Sequence, residues 1–247
     1  MKYCDLEDLL VQLESHYRGS LLNPSGNAAK AVFPGPNNQQ FFALDELTYP
    51  ADDRPLVITL GANYTQVPPK GGAPNLPHKN QCKTLQNPPY VSHHLKDERR
   101  RLVKCLDHFN NHRQEWFDNG LAASLNIVTP SNQDDGYPSF HMVMTNFCGW
   151  ITMKEWSVLN KHFGRMITLK ILFESSREFQ HLDDLVERLK KAHQPVLWVA
   201  HGLDSEVPPL ARRFFNDHKI EEWIITPNLG SWREIILMNT IIKFGGK

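Results

Sequence analysis

Four short apolar segments constrain the fold of this chain more than any other feature of its sequence. Each is rich in β-branched or aromatic residues and stops abruptly at Gly, Asn, His or Pro. They are PLVITLGANYTQ (55–66), SFHMVMTNFCGW (139–150), QPVLWVAHG (194–202) and EEWIITPNLGSW (221–232). Continuous apolar runs of this kind are typical of strands buried on both faces, as in a parallel sheet covered by helices. The sequence therefore predicts core strands at 56–60, 142–145, 196–200 and 223–226.

A polar residue follows each of these predicted strands. Asn63, Asn146, His201 and Asn228 take these places, in chain order. In open α/β sheets, ligands bind in the crevice outside the carboxyl ends of the strands. If the four strands share one sheet, the four residues share one rim, and we expect the functional site there.

Helical patterns alternate with the strands. Apolar residues recur at helix spacing over 6–17, 97–118 and 175–193. Ser175 and Glu178 form a capping box at the start of the third of these helices. Further helices are expected over 152–163, from Pro208, and over 232–244. Short strands are expected at 40–44, 122–128 and 168–173. The predicted fold is a three-layer α/β/α sandwich with a central, mostly parallel four-stranded sheet. We expect a single domain over 1–247, in which residues 1–54 form an N-terminal helix and an irregular extension.

The composition says more about the expected compartment and the kind of partner than about the function. Lys plus Arg (27) equals Asp plus Glu (27), so a polyanion partner would need a local basic patch rather than a basic chain. The four cysteines include no CxxC pair, which predicts reduced thiols and a cytoplasmic protein. No apolar run approaches the length of a membrane span.

Other known motifs receive little support. His108 and His112 are four apart on a predicted helix, but no third metal ligand accompanies them. Gly71-Gly72 opens no helix that could cradle a phosphate, and no serine lies in a G-x-S-x-G context. We therefore expect neither a metal nor a nucleotide cofactor.

The strand ends resemble, in their order and spacing, the motifs of the uracil-DNA glycosylase superfamily. Gly61-Ala62-Asn63-Tyr64 resembles that family's water-activating GxNPG motif, with Tyr in place of Pro. Met142–Asn146 is similar to LLLNT, whose Asn reads the uracil edge, and 196–202 is similar to FLLWG. Thr226-Pro227-Asn228-Leu229 takes the place of HPSPL or NPSGL, with Thr replacing the usual His or Asn. The resemblance spans about residues 55–247.

The resemblance implies a DNA-repair glycosylase that hydrolyses the N-glycosidic bond of uracil, or of a related deaminated base, after flipping it from the helix. It would act as a monomer on uracil-containing DNA. Asn63 would orient the water, and His201 would donate to O2 of the uracil anion in place of the missing histidine. Asn146 would read the base through its amide donor and acceptor. The expected base-contacting residues are Gly61, Ala62, Tyr64, Asn146, Phe147 and Asn228, and the expected DNA-contacting residues are Leu229, Lys70, Lys79 and Lys83.

Several alternatives stay open at this point. Asn63 and Asn146 are also suited to closing a strand, and Leu229 to a core position rather than a wedge in the duplex. Tyr64, Tyr90 and Phe147 compete as the aromatic platform, and Asp134 or Asp135 could supply an acid. The chain could instead be a non-catalytic base- or nucleotide-binding module on the same fold. An unrelated α/β hydrolase or transferase with a site on the same rim is a further alternative.

Overall fold

The computed structural model describes residues 3–19, 41–44, 54–65, 93–130, 140–152, 180–202 and 207–226. The helices are α1 (Tyr3–Gly19), α2 (His93–Asn111), α3 (Arg113–Asp118), α4 (Gln180–Lys191) and α5 (Val207–Asp217). The strands are β1 (Phe42–Leu44), β2 (Leu56–Thr65), β3 (His141–Thr152), β4 (Val196–His201) and β5 (Trp223–Thr226). All four predicted core strands and the short strand expected at 40–44 are therefore confirmed.

The strands form one sheet in the order β1-β3-β2-β4-β5. β3, β2, β4 and β5 run parallel, and β1 pairs with β3 antiparallel at the edge. Within the described residues the sheet thus has five strands rather than the four expected, because β1 joins it. From central β2 the chain passes to β3 on one side and afterwards to β4 on the other. This reversal creates a topological switch point beside the carboxyl end of β2, where α/β proteins bind ligands.

Helices cover both faces of the sheet. On one face, Phe214 and Phe215 of α5 lie with their ring centroids 5.6 and 6.4 Å from that of Trp198 on β4. His218, just after α5, contacts Asp183 of α4, and Tyr17 of α1 contacts the next residue of α4. On the other face, α2 contacts β5 through Cys105 and Thr226. The expected three-layer α/β/α arrangement is confirmed.

The burial pattern explains why these segments adopt this fold. The five residues from Leu56 to Leu60 of β2 are at most 2% exposed. Helices cover both faces of this strand, so neither face is in contact with solvent. On α2 the buried residues recur at helix spacing; they are Leu102, Cys105, Leu106 and Phe109. The buried side of α1 repeats this pattern as expected, with Leu6, Leu10, Leu13 and Tyr17.

Two expected elements are wrong. The single helix over 97–118 is broken at His112, whose φ of −135° and ψ of 34° are not helical. There the N–H of His112 bonds to Phe109 O, and its ring Nδ1 bonds to the carbonyl of His108, which a continuing helix would have used. The strand expected at 122–128 is reduced to one bridge between Ala122 and Ile224. The capping box and the elements expected at 153–163, 168–173 and 232–244 lie outside the described residues.

In the parts of the chain that the structure describes, no helix has the length and apolar character needed to cross a membrane.

Candidate functional site

The sheet register brings two of the four predicted rim residues, Asn146 and His201, into one row at the carboxyl ends of the strands. Asn146 of β3 pairs with Gly61 of β2, and His201 of β4 pairs with Thr226 of β5. Between β2 and β4, Leu60 pairs with Ala200, the residues immediately before Gly61 and His201. The row therefore reads Asn146, Gly61, His201, Thr226 across four adjacent parallel strands. We refer to these four residues as the rim row.

Side-chain alternation places the rim row on the face that α2 covers. Trp198 packs on α5, so His201, three residues later, points to the opposite face. Phe147 also lies on the α5 side, with its ring centroid 6.2 Å from that of Phe214, and Asn146 points the other way. The side chains of Asn146 and His201 therefore share one face on either side of Gly61.

Gly61 lets these two side chains converge. A Cβ atom at this position would lie 2.5 Å from Oδ1 of Asn146 and 2.7 and 2.9 Å from Cε1 and Nε2 of His201. Both contacts are closer than non-bonded atoms approach, so the space beside the glycine is already taken by an amide and an imidazole. An amide acceptor and an imidazole nitrogen thus meet above the central strand, at the switch point of the sheet.

Nδ2 of Asn146 is a buried donor without a hydrogen-bond partner among the described residues. Asn146 is 4% exposed. A buried donor without a partner costs about 1–3 kcal/mol. Such groups in native proteins are usually satisfied by water or a ligand, so Nδ2 is poised to donate to a molecule bound at the rim row.

A second polar atom on this face was not expected from the sequence. Thr59 lies on β2 two residues before Gly61, hence on the same face, and is fully buried. Its Oγ1 atom also has no hydrogen-bond partner among the described residues. Two buried polar groups on neighbouring strands, both able to donate, make this face of the sheet suited to a polar ligand or an ordered water.

At the far end of the rim row, Thr226 is anchored to α2. The Sγ–H of Cys105 donates to Oγ1 of Thr226 over 3.1 Å. Complete burial raises the pKa of the Cys105 thiol to about 12, so it is not a thiolate nucleophile at neutral pH. Thr226 therefore acts as a fixed wall of the site. The resemblance predicts a His or Asn there, and the imidazole of His201 lies on the adjacent strand.

The other predicted site residues fall into two groups. Ala62 is partly buried and follows Gly61 on the opposite face, and Phe147 is 2% exposed against α5. The structure does not bring Phe147 to the face of Asn146, which argues against it as a base-stacking platform. Asn63 and Tyr64 continue β2, with the backbone of Asn63 paired to Cys148, and their side chains lie outside the described part. Also outside it lie Lys70, Lys79, Lys83, Tyr90, Asp134, Asp135, Asn228 and Leu229.

The side chains of His108 and His112 pack against each other and against Trp116. The rings of His108 and His112 stack with centroids 4.2 Å apart, and Nδ1 of His108 accepts a hydrogen bond from the Trp116 indole over 3.2 Å. With Nδ1 used as the acceptor, neutral His108 carries its hydrogen on Nε2 and presents no lone pair there. Among the described residues, no three His, Cys, Asp or Glu side chains gather as a metal site.

Comparisons of this chain with protein-family models, curated proteins and solved structures gave no match.

Proposed function

We propose that this chain is a uracil-DNA glycosylase that binds a flipped base at the rim row. The observation that carries the proposal is the convergence of Asn146 and His201 over Gly61 at the carboxyl end of the central strand. The four rim strands occur in the order that the resemblance requires, and they lie side by side in one sheet. The resemblance in sequence and the convergence in space are separate observations that point to one site.

Asn146 suits the uracil edge because uracil presents a carbonyl, O4, beside an N3–H donor. An amide offers the complementary pair, since Nδ2 donates and Oδ1 accepts. The unpartnered Nδ2 of Asn146 would gain its missing hydrogen bond from O4. Cytosine has an amine at C4 and no hydrogen on N3, so both contacts would be lost and discrimination follows from the same residue.

Excision requires the C1′–N1 bond to break with its electron pair leaving on the base. The uracil anion carries part of its charge on O2, and His201, protonated on Nε2, would donate a hydrogen bond to it. A preorganised donor at a developing charge is the largest single contribution in many enzymes. Water then bonds to C1′ of the oxocarbenium-like sugar, and the proton that it loses passes to the departing uracil anion. Asn63 would orient this water through its side-chain carbonyl, as the resemblance implies, but unlike a carboxylate it would not take the proton.

A second candidate is a module on the same fold that binds a base or nucleotide without cleaving it. The rim row contains no carboxylate, and its last member, Thr226, is engaged with Cys105. This composition favours recognition over proton transfer. The two candidates share the reading role of Asn146 and differ only in whether the glycosidic bond breaks.

Incubation with uracil-containing single- and double-stranded DNA, followed by alkaline cleavage at abasic sites, separates the two functions. The glycosylase predicts strand breaks at uracil positions. Binding of uracil-containing DNA or free uracil without strand breaks supports the module instead. If the chain neither cleaves nor binds these probes, both candidates are excluded.

Exchanging Asn146 for Asp tests the reading role directly. The introduced carboxylate accepts but does not donate, so we expect uracil excision to fall at least about tenfold, the effect of one lost positioned hydrogen bond. The new acceptor should tolerate the exocyclic amine of cytosine, giving breaks at cytosine where the wild type gives none. Asn126→Asp, on an exposed turn, is the matched control and should behave as wild type. Unchanged uracil excision in a well-folded Asn146→Asp protein would remove Asn146 from the mechanism.

A further inference from the structure

A buried histidine outside the rim row contacts the backbone of Asn146. His181 lies in the first turn of α4, is 4% exposed, and has its Nε2 atom 2.8 Å from the Asn146 carbonyl oxygen. A carbonyl oxygen only accepts hydrogen bonds, so Nε2 of His181 carries the hydrogen and donates. This contact links α4, which lies on the same face of the sheet as α5, to Asn146. The side chain of Asn146 lies on the other face.

The backbone at Asn146 needs such a contact because the edge strand stops short of it. β1 pairs with β3 only as far as Phe42, opposite Thr145. The N–H groups of Phe41 and Phe42 both donate to the carboxylate of Glu14, over 3.1 and 3.0 Å. In the described register no residue of β1 pairs with Asn146, and the His181 ring takes the neighbouring position.

The ring itself is held from several sides. Phe41, Phe42 and Tyr17 surround it, with ring centroids 4.9, 5.9 and 6.0 Å away. The Tyr17 hydroxyl hydrogen-bonds the carboxylate of Asp184, one turn of α4 beyond His181. A buried ring packed in this way has little rotational freedom, so the direction of its N–H is fixed before any ligand arrives.

We propose that His181 is a positioning residue for the rim row: its Nε2–H fixes the backbone of Asn146 and so keeps the Asn146 amide directed over Gly61 toward His201. The inference rests on the proposed function in one respect, that Asn146 reads the bound base. His181 touches neither base nor sugar. It acts by making the reading amide ready in advance, which lowers the ordering cost of binding.

Burial supports a permanent donor here. It lowers the pKa of His181 to about 4, against a weaker opposing effect of the Asn146 carbonyl and of Asp184. The ring is therefore neutral at physiological pH and keeps its hydrogen on Nε2. A contact that does not change its protonation state near neutral pH is suited to holding a fixed geometry.

The test compares His181→Gln with His181→Leu, using free uracil as the probe. The Gln amide nitrogen reaches the place of the imidazole Nε2 and can donate, whereas Leu fills similar space without a donor. We expect the dissociation constant for uracil to rise about tenfold in His181→Leu, the effect of a lost hydrogen bond, and to stay within about twofold in His181→Gln. Reversible partial unfolding raises the apparent dissociation constant only by the inverse of the folded fraction, so a variant that is at least half folded would show at most about a twofold rise from this cause. If His181→Leu cannot be purified, His181→Phe, which keeps a ring, replaces it.

A matched control and a second readout complete the test. His218→Leu removes another histidine hydrogen bond, the one to Asp183, and should lower stability while leaving uracil binding unchanged. In a ¹³C,¹⁵N-labelled protein, the Asn146 carbonyl carbon should move upfield and its side-chain NH₂ signals should shift in His181→Leu but not in His181→Gln. Unchanged Asn146 signals in His181→Leu would overturn the inference even if wild type binds no uracil. If the NMR shifts occur as expected while the wild type neither binds uracil nor cleaves uracil-containing DNA, the proposed function alone is overturned.

Discussion

At the scale of single residues, a substitution at Gly61 can change the site without changing the stability of the fold. Its φ lies outside the left-handed region, so an Ala side chain suits the backbone, and the atoms it would meet are the ends of two side chains. Asn146 and His201 can therefore turn away without moving the strand. We expect Gly61→Ala to weaken uracil binding at least about tenfold while the free energy of unfolding changes by less than about 1 kcal/mol.

The control for this substitution is Gly120→Ala, where the consequences are reversed. Gly120 has a φ of 63° at the end of α3, and the nearest atom to an added Cβ is 3.9 Å away, in Arg212. The left-handed backbone should cost about 1 kcal/mol of stability without touching the rim row. Urea unfolding and uracil titration on both variants test the pair. Equal binding in Gly61→Ala and wild type would contradict the convergence of Asn146 and His201.

The same residues show how far sequence reasoning reaches. Asn146 and His201 were predictable because each follows an apolar run, and the carboxyl ends of parallel strands share one rim. Thr226 joins them only through register, which the sequence does not carry. Strand alternation places Phe147 on the face opposite to Asn146, so a base contact predicted for both residues would need the base to reach both faces of the sheet. His181 left no signal, because its partner is a backbone carbonyl thirty-five positions away.

At the scale of elements, α2 is attached to the end of β5 by a thiol rather than by a charged group. Cys105 is completely buried and its raised pKa of about 12 keeps it protonated. We therefore expect the Cys105 peptide to remain unmodified when native protein is treated with iodoacetamide at pH 8 and to react fully in denaturant. Peptide mass spectrometry measures both states. Rapid labelling of Cys105 in native protein would show that α2 separates readily from β5.

Helix α4 should make the fold sensitive to mild acid. The pKa of His181 is lowered by burial from 6.5 to about 4 in the folded chain, so the unfolded chain binds more protons between these values. Stability is then fully present above pH 6.5 and falls as the pH drops toward 4. Urea titrations at pH 7 and pH 5 measure the free energy of unfolding of each protein. Between these pH values we expect it to fall by up to about 2 kcal/mol less in His181→Gln than in wild type. Parallel losses in the two proteins would mean that His181 titrates normally when folded.

Elements were predictable where burial dominates and not where local hydrogen bonds decide. The strands and the apolar faces of α1, α2 and α5 follow from patterns that repeat with the period of the structure. The break at His112 depends on one imidazole taking a helical carbonyl, and 122–128 has strand-like residues that find only one bridge. Both outcomes depend on competition for backbone hydrogen-bond partners, and the pattern of apolar residues carries no information about that competition.

At the scale of the whole molecule, a neutral chain must concentrate its positive charge to bind DNA. The chain has 27 basic and 27 acidic residues, so any attraction to phosphate has to be local. The rim row lies at the carboxyl end of β2, and the segment that follows β2 carries Lys70, Lys79 and Lys83. Three exposed lysines lie near the opposite, amino-terminal edge of the parallel strands, at the end of α4 or before β5; they are Lys190, Lys191 and Lys219. The amino-terminal edge of the parallel strands thus carries a set of three lysines that matches Lys70, Lys79 and Lys83 in charge.

Replacing each set of three lysines with glutamine identifies the side that faces DNA. Contacts that only neutralise phosphates strengthen binding to all sequences and release counterions, so their loss weakens binding and flattens its dependence on salt. We expect replacement of Lys70, Lys79 and Lys83 to weaken binding to uracil-containing and normal DNA alike. The salt slope should fall by about one unit for each phosphate contact removed, and the affinity for free uracil should not change. Replacement of the opposite set should leave DNA affinity and slope as in wild type. If the first set had no effect while uracil binding persisted, the rim row would still bind a base, and the function would move from DNA repair to recognition of a free base or nucleotide.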